Sequence, residues 1–494
     1  MQGTRLGKMR AYWLGSVVCI GGFLFGYDSG IVGGVLTLKS FERDYGYSSA
    51  DATRVDSLAV GLQQLGAFVA CFLAWPLTDR LGRRKALMIS SLVFCIGALI
   101  QTINTHSLAA FYVARVIAGL GLGTATVVVP MFSSEMSPTE LRAKIGSFFQ
   151  WFFTFGIFVS YWVDYGVALG SDTSRQWQIP IGLQLVPGAL LGLGMLTLKE
   201  STRWLTRKGR HDEAFESLQW IRADTSSQAV LDEMEDIRVG VEAEARAREG
   251  FHPRELLQRD NFKRVFAASA IFLAQQATGA TAFAYFGPQY FKLLVGAGNR
   301  DLLLTAIFGA VKVLACGIFV LFVSERVGRR NVLIGGAAFM AACQIATAAV
   351  DKAMPPPAEG TITSSGIAMV ALIYLFVIAY NFSWGPMPWP YVSEIFPARI
   401  REPGVAIGVG SQWLFNFVFS LTTPYMIKNM GWGTFLLWGV FDAVIAILAF
   451  FFLKETKGLS LETIAHQQFT KGTSRGDAMP GIKHVDTADD APAP

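Results

Sequence analysis

Long charge-poor runs, separated by short clusters of charge, dominate this chain and leave it few ways to fold. About twelve of them follow one another, near residues 12–38, 57–78, 86–104, 108–133, 145–168, 178–198, 263–294, 302–324, 331–350, 365–392, 403–427 and 431–453. A helix needs roughly 20 apolar residues to cross the hydrocarbon of a bilayer, and each run is about that long or longer. In lipid, every backbone N–H and C=O must be satisfied inside the element, so spanning segments are helices or closed barrels. The runs therefore predict an all-α membrane protein with twelve transmembrane helices, numbered spans 1 to 12. Composition agrees: 16% of the 494 residues are charged, against about 25% in soluble domains.

The longest interruption, 199–262, is charged and carries helix-like stretches such as DEAFESLQWI and VLDEMEDIRVGVEAEARAR. It divides the spans six and six. The expected organisation is a first half at 1–198, a cytosolic helical linker at 199–262, a second half at 263–453 and a polar tail at 454–494. That tail ends in DTADDAPAP and is expected to be largely disordered. The connections after spans 2, 4, 6, 8 and 10 read DRLGRRK, TELRAK, TRKGR, ERVGRR and PARIREP, and both ends of the chain are basic as well. Lys and Arg stay on the cytosolic side of a membrane, so both termini are expected there. The basic start, MQGTRLGKMR, leads into a full-length apolar run without a small-residue cleavage site, and reads as span 1 rather than a signal peptide. The five cysteines (Cys19, Cys71, Cys95, Cys316, Cys343) all lie in apolar runs and read as buried thiols. No metal-ligand spacing appears among the histidines, and no nucleophile–base set or phosphate loop appears anywhere. No cofactor, metal or nucleic-acid partner is expected, and an enzyme is disfavoured.

The chain also repeats itself. DRLGRR (Asp79–Arg84) returns as ERVGRR (Glu325–Arg330), 246 positions later. SSEMSPTELR, with Glu135 and Arg142, is matched by VSEIFPARIR, with Glu394 and Arg401. KESTRWL at Lys199 is echoed by KETKGLSL at Lys454. A period near half the chain, with the same side facing inward, implies two pseudo-symmetric halves of six helices each.

With these motifs in order, the chain resembles the sugar porters of the major facilitator superfamily, and the fungal branch in style. The resemblance runs through GGFLFGYDSGIVGG, DRLGRR, ARVIAGLGLG, SSEMSPTELR, QQATGATAFAYF, ERVGRR, WGPMPWPYVSEIFPARIR and KETKG, up to about Glu462. It implies a multi-pass carrier, expected in the plasma membrane, that moves a solute by alternating access. Departures occur where substrate would bind: Thr281 stands where the family commonly has Asn, and Ile157 where it often has a second span 5 Gln. Lys199-Glu200-Ser201-Thr202-Arg203 replaces the usual Pro-Glu-Ser-Pro-Arg, and Trp75 replaces a Gly.

The charged clusters have two readings. As topology determinants they simply stay with the cytosol. As a conformational latch, Asp79, Arg83, Arg84, Glu135 and Arg142 in one half form ion pairs at the cytosolic helix ends. Glu325, Arg329, Arg330, Glu394 and Arg401 repeat the arrangement, with Glu200 and Glu455 as further partners by resemblance. The latch would hold the cytosolic side shut while the outer side is open.

A sugar needs groups that both donate and accept hydrogen bonds, together with an apolar face. Candidates are Gln150 in span 5; Gln275, Gln276, Thr281 and Tyr285 in span 7; Trp389 in span 10; and Gln412 and Asn416, four apart on span 11. Amides in membrane helices also serve as plain interhelical glue. Gln63 and Gln64 of span 2 have no support in the family pattern and read that way.

Three charges sit inside spans: Asp28, Arg115 and Lys312. Charge at the bilayer centre costs about 2.5–3.5 kcal/mol on insertion scales, so a functional role is the default. By resemblance, an acid at Asp28 marks proton-coupled members and Arg115 is its partner. A carboxylate beside an arginine stays ionised, whereas a lone buried one takes up a proton, so separating the pair would load H⁺. A static ion pair joining spans 1 and 4 is the alternative. Lys312 is foreign to the common hexose pattern. It would face a substrate carboxylate, as in galacturonate or quinate, or pair with Asp28 or a backbone carbonyl. The expected function is proton symport of a monosaccharide or sugar acid. A facilitative carrier without coupling and a non-transporting sensor are the alternatives, the latter disfavoured by a tail of only about forty residues after span 12.

Overall fold

The computed structural model describes residues 5–223, 228–295, 300–324, 326–355, 363–453 and 455. All regular elements among them are helical. Ten helices are long and apolar enough to cross a membrane, and they fall at spans 1 to 4, 6, and 8 to 12. The other two spans are special cases. Span 5 is a 30-residue helix, Thr139–Ala168, whose N-terminal end carries charge. Span 7 is two helices, Arg259–Ala277 and Ala280–Val295.

The break in span 7 comes from Gly279. Its φ of +79° suits glycine alone, and a Cβ there would lie 2.7 Å from the Trp438 ring. Thr278 donates its hydroxyl to the Gln275 carbonyl at 2.8 Å and caps the turn. Span 10 also breaks, ahead of Pro386, Pro388 and Pro390. The helix Ser364–Phe382 stops at Ser383, where Gly385 N–H bonds back to the Tyr380 carbonyl at 2.8 Å. A short helix, Pro388–Glu394, then restarts with proline in its first turn, where the missing N–H costs nothing.

Small residues let the helices approach closely. A Cβ on Gly26 of span 1 would sit 1.8 Å from the Phe153 carbonyl oxygen of span 5, and one on Gly156 would sit 2.2 Å from the Phe23 carbonyl. With no hydrophobic drive between helices in lipid, such backbone-to-backbone packing is a main source of association.

The two halves touch tightly on the side away from the basic connections. There a Cβ on Gly33 of span 1 would strike the Tyr285 carbonyl of span 7 at 1.9 Å. Tyr161 of span 5 donates to the Ala284 carbonyl at 2.5 Å, and Ser57 of span 2 donates to the Leu421 carbonyl of span 11 at 2.6 Å. On the basic side the halves part around a cavity that reaches Gly146, Ser147, Ser324 and Arg329.

Between the halves lie the helices Thr202–Arg207, His211–Arg222 and Gln228–Arg248, followed by a 3-10 turn at Pro253–Leu257. The first two pack on the first half: Arg10 stacks 4.8 Å from the Trp220 ring and donates to its carbonyl at 2.6 Å. The long helix is tied on two sides near its C-terminal end. Arg203 pairs with Glu244 at 2.8 Å, while Arg399 donates to the carbonyls of Ala247 and Glu249 and chelates Glu255 at 2.7 and 2.8 Å. The Arg399 guanidinium and the His252 N–H lower the Glu255 carboxyl to about 2. A carboxyl lowered in this way keeps its bridge above that pH and loses it as pH falls through that value.

The Gly26 crossing has a direct consequence. Gly26→Val cannot be housed without separating spans 1 and 5, and is expected to cost at least about 1–3 kcal/mol, the usual penalty of overpacking. Thermal unfolding of the detergent-purified protein measures it; a transition unchanged from wild type would contradict the crossing.

Candidate functional site

The cavity between the halves has a volume of about 480 Å³, within the usual range for small-molecule sites. Each substrate candidate named from the sequence lines it: Gln150, Gln275, Gln276, Thr281, Tyr285, Lys312, Trp389, Gln412 and Asn416. The broken spans create much of this surface. Gln275 sits one turn before the span 7 break and gives its amide N–H groups to the carbonyls of Trp384 and Gly385, freed by the span 10 break, at 2.9 and 3.2 Å. Its Oε1 is left buried without a partner, as are those of Gln276 and Gln412. Three amide oxygens thus stand ready as acceptors on the second half. Asn416 is more committed: it donates to the Tyr285 hydroxyl at 3.2 Å and accepts from Ser420 at 3.2 Å. Trp389 meets Phe272 edge-on, with centroids 5.1 Å apart, and supplies an apolar wall.

Lys312 of span 8 is 4% exposed, yet no carboxylate faces it. Its ammonium lies 5.7 Å from the Phe153 ring centroid and makes no hydrogen bond or ion pair among the described residues. Pairing with Asp28 or with a carbonyl, both open from the sequence, is not what the structure has.

Asp28 and Arg115 form the buried pair, Oδ1 to Nη1 3.5 Å, with 2% and 1% exposure. Arg115 also donates from Nε to the Ala59 carbonyl at 2.7 Å and from Nη1 to Gln101 Oε1 at 3.4 Å. Gln63 donates its amide to the second oxygen of Asp28. Gln63 is therefore a member of the charged site and not the plain glue that its sequence context suggested. Tyr285 connects the two regions: it lines the cavity, and its hydroxyl lies within electrostatic reach of both Asp28 and Arg115.

At the basic ends of the helices each half has a clasp, and the two match. Arg83 chelates Glu135, with contacts of 2.7 and 2.9 Å, while Glu200 accepts from the backbone N–H of Arg83 and Arg84. In the second half Arg329 pairs with Glu394, and Glu455 accepts from the N–H of Arg329 and Arg330 at 2.9 and 3.1 Å. The other arginines depart from the expected ion pairs. Arg84 donates to the carbonyls of Met195 and Leu196, and Arg330 to those of Leu453 and Phe450. Glu200 and Glu455 are occupied by backbone donors, so these guanidinium groups cap the carbonyl ends of spans 6 and 12 instead. Arg401 donates to the Phe396 carbonyl at 3.3 Å, and the exposed Arg142 stands near Arg203, Arg222 and Glu233 and has no paired acid among the described residues. Asp79 binds Arg207 and Lys208 of the linker at 3.3 and 3.0 Å. Glu325 lies outside the described residues.

Several cavity residues gave little warning in the sequence. Phe25 and Phe153 form an aromatic wall with centroids 4.6 Å apart, and Ser29, Tyr380 and Asn381 complete the lining. Asn381 had one visible signal, an amide in an apolar run just before WGPMPW. Phenylalanines in a membrane helix give none, because lipid-facing and cavity-facing rings look alike in composition.

A family model described as "Sugar (and other) transporter" matches residues 14–467. The quinate permease of Emericella nidulans is 33% identical over 467 residues, covering 92% of this chain and 88% of that one. A probable quinate permease of Aspergillus flavus is 34% identical over 469 residues, covering 92% and 87%. Among solved structures, the xylose transporter XylE from E. coli, in a partially occluded inward open conformation, superposes with a TM-score of 0.76 at 25% identity, covering 92% of this chain and 100% of that one. Twelve spans in two halves, a polar cavity between them and these relatives agree: the chain is a multi-pass membrane carrier, not an enzyme, and it belongs to the sugar (and other) transporter family.

Proposed function

We propose that this protein is a proton symporter for a polyhydroxylated carboxylate, a quinate-like or sugar-acid anion. The observation that carries the substrate class is Lys312, a buried ammonium in the cavity wall with no acid of its own. A buried cation is expensive unless paired, and a substrate carboxylate would supply the missing charge. The amide oxygens of Gln275, Gln276 and Gln412 would accept from its hydroxyls, with Trp389 and Phe153 as apolar walls. The names of the fungal relatives point the same way.

Coupling would run through Asp28. The pair with Arg115 is buried, and Tyr285 and Ser29 connect that site to the cavity. Movement of span 7 in the transport cycle would alter the surroundings of Asp28 and load or release a proton. The moving bodies in this reading are 1–198 and 263–453, joined by 199–262. The distribution of Lys and Arg supports cytosolic termini, and with that orientation the cavity opens inward. An uptake role fits the plasma membrane. The clasps, including Arg83, Glu135, Arg329 and Glu394, would serve the switch by keeping each half rigid. They are formed inside their own halves while the halves part around the cavity on the basic side.

Three outcomes test this reading. Uptake of labelled quinate or galacturonate by a transporter-null host should exceed that of glucose and xylose and collapse with a protonophore. Asp28→Asn should abolish uphill accumulation while leaving counterflow; undiminished accumulation would rule out coupling through this acid. Lys312→Ala should raise KM for the acid at least about tenfold, the worth of a lost charge-assisted hydrogen bond. The same change should move KM for a neutral competitor less than about threefold, and equal effects on both would defeat the anion assignment. For the clasps, Glu135→Gln with Glu394→Gln should lower uptake about fivefold at equal surface expression, the effect of roughly 1 kcal/mol. Unchanged uptake would reduce them to topology markers.

A further inference from the structure

We propose that Gln63 of span 2 is a positioning residue for proton coupling: an amide that serves both protonation states of Asp28 and so sets the pH at which the carrier loads. This rests on the proton-symport reading above. Gln63 is fully buried at 0% exposure, and its Nε2 donates to Asp28 Oδ2 while Arg115 holds Oδ1. Its other amide atom, Oε1, is buried and has no partner among the described residues.

That asymmetry has chemical meaning. An ionised carboxylate only accepts hydrogen bonds, so it uses the amide N–H. A protonated carboxyl must donate its O–H, and in a dry site an unmet donor costs about 1–3 kcal/mol. The unpartnered Oε1 can take that O–H after the amide turns by half a rotation about its last bond. The atoms balance: one proton joins Asp28, N–H···O⁻ is exchanged for O–H···O=C, and nothing else is bonded or released. Arg115 cannot do this, since a guanidinium only donates.

The surroundings leave Gln63 well placed for the role. Facing Asp28 are Arg115 from span 4, Tyr285 from span 7 and the Gln63 amide from span 2, with Gln101 of span 3 behind Arg115. Asp164, the acid of span 5, lies instead against Gly34, further out along span 1. Tyr285 is engaged by Asn416. Backbone geometry also holds span 2 close: Arg115 Nε bonds to the Ala59 carbonyl one turn before Gln63.

The test compares pH profiles in reconstituted vesicles. Gln63→Met keeps the length and burial of the side chain and removes both amide functions, and Gln64→Met is the neighbouring control. The bond to an ionised partner is the stronger of the two that are lost, so the carboxylate form suffers more and Asp28 protonates at a lower proton concentration. The midpoint of uphill uptake against external pH should move to alkaline by about one unit, a tenfold change in proton concentration. Counterflow, which needs no net proton movement, should persist and show that the variant is folded. Gln64→Met should leave the midpoint in place. A Gln63→Met midpoint within twofold of wild type in proton concentration, or one displaced to acid, overturns the proposal. Should wild-type uptake ignore the protonophore, or Asp28→Asn still accumulate substrate, the symport reading itself falls, a result distinct from an unmoved Gln63 midpoint.

Discussion

A carboxylate and a guanidinium held out of water, Asp28 and Arg115, exert the strongest constraint on this structure. Two charges removed from water cost several kcal/mol each, and their attraction repays this only when the geometry is good and the remaining donors are satisfied. The satisfaction is visible here. Arg115 places its other donors on the Ala59 carbonyl and on Gln101, and Asp28 accepts from Gln63. Spans 1 to 4 are thus tied to one polar knot, and the packing around it must keep bulk water away.

Glycine makes that exclusion possible. The face of span 1 that carries Gly26 and Gly30 lies directly on span 5, while Gly33 meets span 7. The same helix presents Asp28 on another face, toward spans 2 and 4. One helix therefore touches the buried ion pair, the partner half and the cavity, and Ser29 lines the cavity beside the acid. A displacement of span 7 across Gly33 would be felt at Tyr285 and hence at Asp28. No long chain of residues separates the ion pair from the cavity in this arrangement, since both share span 1 and Tyr285.

Legibility in the sequence followed energetic cost. Asp28, Arg115 and Lys312 stood out because charge in a bilayer is rare and expensive. The paired clusters stood out because the fold is duplicated, and the structure repeats the duplication down to Glu200 and Glu455, which accept from equivalent backbone N–H groups. Gln63 did not stand out, because an amide in a membrane helix is common and its partner lies 35 residues away. The roles of Arg84 and Arg330 were hidden for another reason: a carbonyl at a helix end is invisible in a string of residue names, while an acid nearby is not. The prolines of span 10 mark a break only in kind. Its onset at Ser383 depends on the turn that Gly385 closes onto Tyr380.

The clasps lead to a mechanical distinction. Among the described residues, no ion pair joins one half directly to the other. Arg83–Glu135 stays within the first half and Arg329–Glu394 within the second. What crosses is the linker, tied to the first half through Asp79 with Arg207 and Lys208 and to the second through Arg399–Glu255 and Arg248–Glu402. Exposed pairs of this kind are worth about 0–1 kcal/mol each. The clasps are less exposed, and the arginines that form them also give their backbone N–H groups to Glu200 and Glu455, so they are held more firmly. Such a division, strong ties inside each body and weak ones between, suits two bodies that rock while keeping their own shape. It also locates the adjustable part of the machine at the weak ties and at the glycine-lined outer contact, where little free energy separates one packing from another.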